Sequence, residues 1–210
     1  GEIEINHISQ NFISSEKIIP IGNYYLEHIM KQRVDETILE FVSMLRDEYK
    51  NIVLVSSQEI IEKQLMNFLS LVAEKLPNTV FIFVPRKGKK TIKLTPFVQN
   101  LLIQPNIDIY QFVPLCNYHS TVFSTFASES VFMGIPNIFI NINGLSKSYY
   151  LEIFSENSAV KFSDNVESYV KIINEWNPPE NSYIKKMSKE LFVDHNNDVI
   201  KNLIDKTIQL

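Results

Sequence analysis

The stretch Ser124-Thr125-Phe126-Ala127-Ser128-Glu129 sets small hydroxyl residues where an apolar run ends, and a carboxylate about one helical turn later. Gly134-Ile135-Pro136 and the apolar run Asn137 to Ile142 follow. A helix start carries unpaired backbone N–H groups and the positive end of a dipole. Ser124, Thr125 and Ser128 would add hydroxyl donors there, which suits phosphate. The same residue types serve as ordinary helix caps, so capping is the alternative. Glu129 is placed to accept both hydroxyls of a ribose, or simply to favour the dipole of its first turn.

Other residues point to the same edge of a sheet. Arg86 and Lys87 directly follow an apolar strand and can neutralise a diphosphate or a substrate carboxylate; a solvated basic loop is the alternative. Ser56, Ser57 and Gln58 follow another such run and can meet a donor sugar and phosphates, or cap the next helix. His119 is a candidate phosphate ligand or acid–base group, and the weakest signal of the set. Cys116 reads as a small packing residue rather than a nucleophile.

Elements must position these groups. Buried strands are expected at Asn51–Ser56, Thr79–Val84, Ile107–Tyr110, Ser120–Ser124 and Asn137–Ile142. Helices are expected at Asn23–Tyr49, Glu59–Leu76, Ala127–Met133, Val166–Trp176 and Tyr183–Ile208, with a short one at Phe97–Ile103. Strands alternating with helices give an α/β fold: a doubly wound, mainly parallel sheet in a Rossmann-like three-layer sandwich. Ligands on such sheets lie outside the carboxyl ends of the strands. The expected organisation is a lead-in over 1–25, a Rossmann-like nucleotide-sugar domain over 26–180 and a helical tail over 181–210 packed on it.

Composition narrows the function. The chain has 210 residues, 45% hydrophobic and 21% charged, with a formal net charge of −4. That balance disfavours nucleic acid as partner. One cysteine excludes an internal disulfide framework and a multi-cysteine metal site, and fits a reducing compartment. No apolar run approaches the roughly 18 residues of a membrane span, and there is no secretory leader pattern. No G-x-G-x-x-G follows the first strand, and P-loop, H-E-x-x-H and G-x-S-x-G motifs are missing as well.

The order of segments resembles the C-terminal half of a GT-B glycosyltransferase. It is most similar to the bacterial enzymes of surface and capsular polysaccharide assembly and their relatives, the glycerophosphotransferases and sugar-nucleotide 2-epimerases. Lys17 to Asn23 is similar to the segment that enters this half. Asn51 to Ser57 looks like its first strand and loop, and Phe83 to Lys87 sits where several members carry K-x-H-P. Ser120 to Pro136 looks like the S-T/S-x-x-x-E-x-x-x-x-G-x-P signature, and Phe192 to Asp198 like the stretch before the last helix.

The resemblance implies that Ser124 and Thr125 contact donor phosphates, that Glu129 holds the ribose, and that backbone around Val113, between Phe112 and Leu115, meets the base. It implies a UDP- or CMP-linked sugar as substrate, with no cofactor and no metal, because the helix dipole and Arg86 carry the charge. It also implies a glycan or lipid-linked acceptor held by a preceding domain, so that this chain alone is an inactive half. The expected location is the cytoplasm, including the inner face of the membrane. The alternatives are a sugar-nucleotide epimerase or hydrolase, and a non-catalytic docking module.

Overall fold

The computed structural model describes residues 23–85, 98–154 and 158–188, with 198, 200, 201 and 205. The lead-in up to residue 22, the loop holding Arg86 and Lys87, and most of the tail lie outside the described residues.

Six parallel strands form one sheet in the order β3-β2-β1-β4-β5-β6. They are β1 Asn51–Ser56, β2 Thr79–Val84, β3 Leu101–Ile103, β4 Tyr118–Thr121, β5 Asn137–Ile140 and β6 Val160–Ser163. The helices are α1 Tyr24–Met30, α2 Glu36–Glu48, α3 Glu62–Lys75, α4 Ile109–Phe112, α5 Phe126–Phe132, α6 Leu145–Tyr150, α7 Val166–Glu175 and α8 Asn181–Met187. The all-parallel sheet with helices on both faces is the expected Rossmann-like three-layer fold.

The apolar runs work as their composition requires. In β1, Val53 and Val55 face the layer of α3 and α7, whereas Ile52 and Leu54 face that of α1 and α2. Each such fully buried side chain contributes about 1.5–3 kcal/mol relative to exposure. Under β5 and β6 a third cluster stacks Phe139 on Tyr150 and Phe162, with Phe154 tilted beside them.

Several expected elements differ. Ile107–Tyr110 is no strand: the Asp108 carboxylate accepts from the Tyr110 and Gln111 N–H groups and starts α4 instead. The helix expected up to Ile103 gives way to β3, because the Asn100 amide donates to the carbonyls of Ala73, Leu76 and Thr79 and sets Leu101 against β2. The single helix over Asn23–Tyr49 is two, since the Asp35 side chain accepts from Thr37 N–H and restarts it. The edge strand β6 was not expected; its four residues include the charged Lys161. β4 begins two residues earlier than expected, at Tyr118, and stops at Thr121.

Gly134 ends α5 with φ 90°. Its N–H donates to Val131 O, and Ile135 N–H to Ser130 O, a Schellman closure. The turn delivers the chain directly into β5.

Candidate functional site

Crossovers run one way from β1 to β3 and the other way from β4 to β6, so the strand order reverses between β1 and β4. A crevice opens at such a reversal because the two following loops diverge to opposite faces. A cleft of about 830 Å³ lies there. Its walls are Ser56, Ser57 and Gln58 after β1, Val84 and Pro85 at the end of β2, Pro105 to Tyr110 after β3, and Phe123 to Phe126 after β4. Tyr25, His28, Ile29 and Gln32 of the α1 region close the remaining side.

Ser57, Ser124 and Thr125 are thus brought together in one cleft. The Ser57 hydroxyl oxygen is buried with no hydrogen-bond partner among the described residues. Such an orphan costs about 1–3 kcal/mol unless something occupies it. Ser124 Oγ accepts from Phe126 N–H at 3.3 Å, and its carbonyl accepts from the Tyr150 hydroxyl. Thr125 precedes α5 and is exposed, and its side chain makes no cap bond. Capping is therefore done by Ser124 alone.

Glu129, Ser128 and Val113 are not among the residues that line the cleft. Glu129 is half-buried behind the cleft wall, where Oε2 accepts from the Tyr110 hydroxyl at 2.9 Å. Burial raises its carboxyl above the ordinary range, and the Tyr110 hydrogen bond partly opposes this. Tyr110 itself lines the cleft, and its hydroxyl joins Glu129 to that wall. Ser128 lies in the first turn of α5, its N–H donating to Thr125 O, outside the cleft wall. Val113 is fully buried in the core and is not among the residues that line the cleft, whereas Asn106 to Tyr110 are. Arg86 and Lys87 follow Pro85, the last described residue of that wall.

His119 is not in the cleft but beneath it, with no exposed surface. Nε2 lies 2.9 Å from Ser56 Oγ. Nδ1 faces Asn137 Oδ1, with Ser130 Oγ at 3.1 Å. The Phe126 ring meets the imidazole edge-on. Burial pushes its pKa down to about 4, so the ring is neutral. His119 itself does not line the cleft; its described link to it is the hydrogen bond with Ser56, which does. Cys116 is buried packing, its thiol pushed up by desolvation.

Sequence reasoning missed Tyr110 and this buried array. Tyr110 was hidden by the mistaken strand. The array had one signal: polar Ser56, His119, Ser120, Thr121 and Asn137 within otherwise apolar strand runs.

Among the described residues no group of three or more His, Cys, Asp or Glu is placed to hold a metal, and no helix is long and apolar enough to cross a membrane.

Fold and cleft together define a Rossmann-like α/β domain with a crevice at its switch point. No protein-family model and no curated protein matches the sequence. Solved structures do share the fold. A Staphylococcus aureus MnaA–UDP structure is similar with a TM-score of 0.61 at 13% identity, over 90% of this chain and 53% of that one. The wall teichoic acid polymerase TagF (H548A) gives 0.58 at 14% identity, over 97% and 56%. A UDP-GlcNAc 2-epimerase from Neisseria meningitidis bound to UDP-GlcNAc gives 0.57 at 15%, over 99% and 59%. The chain thus spans little more than half of each.

Proposed function

We propose that this chain is the donor-binding half of a GT-B glycosyltransferase, which holds a UDP- or CMP-linked sugar for transfer to a glycan or lipid-linked acceptor in bacterial surface polysaccharide synthesis. The cleft at the strand reversal carries this reading, because it joins an unpartnered Ser57 hydroxyl to the Ser124–Thr125 turn. Two of the similar structures hold UDP or UDP-GlcNAc, which supports a nucleotide sugar as the ligand class.

In this scheme Ser57, Ser124, Thr125 and the backbone before α5 meet the diphosphate. Arg86 and Lys87 supply the positive charge that the described wall lacks, and so stabilise the leaving nucleotide as the glycosidic bond breaks. Glu129, released from Tyr110, takes the ribose hydroxyls. The acceptor and its base come from a preceding domain, at the cytoplasmic face of the membrane.

A second reading is a sugar-nucleotide 2-epimerase, favoured by the match to such an enzyme over nearly the whole chain. It would convert a sugar nucleotide with no acceptor present.

A thermal-shift series with UDP, CMP, CDP, GDP, ADP and their sugar conjugates tests the ligand class. A ligand at about ten times its Kd adds about 1.4 kcal/mol, or about 3–6 °C in Tm for a chain of this size. The expected result is a shift with uridine or cytidine nucleotides that Glu129→Ala abolishes. Equal shifts with inorganic phosphate would contradict it.

A further inference from the structure

The buried array under the cleft fixes a direction of hydrogen bonding. The Asn137 side-chain amide donates to Ile135 O at 3.0 Å, which leaves Oδ1 turned toward His119 as an acceptor. His119 Nδ1 must then carry the proton. With a bare Nδ1 two lone pairs would face each other, and rotating the Asn137 amide would set its oxygen against the Ile135 carbonyl. Ser130 agrees, since its hydroxyl can donate to Ala127 O or Asn137 Oδ1 and still accept from Nδ1–H. A neutral ring protonated at Nδ1 has a bare Nε2. The Ser56 hydroxyl, 2.9 Å away, must donate to it.

We propose that this chain of bonds makes Ser56 an acceptor-only recognition residue, which takes a hydroxyl of the bound nucleotide sugar and refuses its phosphate oxygens. Ser56 lines the cleft at 7% exposure. Its hydrogen is committed inward, and no other described group occupies its lone pairs. A phosphate oxygen has no proton to offer those lone pairs and is repelled; a ribose or hexose hydroxyl has one. The neighbouring Ser57 keeps its hydrogen free and can donate to phosphate. Two adjacent serines thereby set which end of the ligand lies where. His119 is a positioning residue, acting through Ser56. The inference rests on the nucleotide-sugar reading for its ligand, though not for its polarity.

Two measurements test it. Nitrogen-15 NMR of the imidazoles in the ligand-free chain, with the His119 signals identified by their loss in His119→Gln, reads the tautomer directly. The expected result is a proton on Nδ1 and a hydrogen-bonded, unprotonated Nε2 whose shift moves in Ser56→Ala. A proton on Nε2 overturns the polarity. The second measurement compares UDP, UDP-GlcNAc and inorganic pyrophosphate as probes on wild type and Ser56→Ala. One neutral hydrogen bond corresponds to about three- to tenfold in affinity. That loss is expected for UDP or UDP-GlcNAc, with pyrophosphate unchanged. Equal loss for all three makes Ser56 merely structural and overturns the assignment. If wild type binds none of them, the nucleotide-sugar reading fails and the assigned ligand with it, while the tautomer still decides the polarity.

Discussion

At the scale of single residues, His119 joins stability to pH. Its ordinary value is 6.5 and burial lowers it to about 4, so between those values the unfolded chain binds a proton that the folded one does not. The stability due to the neutral ring is complete above about pH 6.5 and is lost as pH falls toward 4. The fall between pH 7 and pH 5 should be about 2 kcal/mol in urea unfolding. Glu129, half-buried and raised, acts with the opposite sign just above its ordinary 4.5, so the comparison is with His119→Gln. The variant should show a flatter profile; an unchanged slope would remove His119 as the source. The sequence showed this histidine and its polar neighbours, but not that Leu54 and Asn137 flank it in register across β1, β4 and β5. Pairing across distant segments is what sets the ring beneath the cleft, bonded to Ser56.

At the scale of elements, the turn from α5 to β5 governs how the cleft wall meets the sheet. Gly134 was legible as a break, because Gly-x-Pro between a helical and an extended run has few other meanings. Its second duty was not legible. A Cβ there would come 2.7 Å from Asn181 O and 2.9 Å from Lys185 Cε, so α8 packs on the bare backbone. Positive φ adds strain for any other residue. Gly134→Ala should cost about 2 kcal/mol or more, through strain and through displacement of α8. Urea unfolding measures it, and a loss under about 0.5 kcal/mol would show that α8 gives way freely. The long apolar runs of β1 and β2 were read correctly to the residue. The short strands β3 and β6 were not, because three or four residues carry too little period to stand apart from loop. The α4 error has the same root: Ile-Asp-Ile-Tyr alternates like a strand, and only the Asp108 cap decides otherwise.

At the scale of the whole molecule, a doubly wound sheet leaves one natural crevice, and Ser56, Ser57, Ser124 and Thr125, singled out from sequence, converge on it. Segments at the ends of four sheet strands, brought together only by the fold, build that site with the α1 region. Hence its general place was legible while Tyr110, Tyr25 and Gln32 in its walls were not. The direct measurement of the central claim is a titration of the isotope-labelled chain with UDP and with CMP, followed by amide chemical shifts. The account predicts saturable shifts with one of them, concentrated at Ser57, Gln58, Asn106 to Tyr110, Ser124 and Thr125. No saturation with either up to several millimolar, or shifts gathered on another face of the sheet, would contradict it.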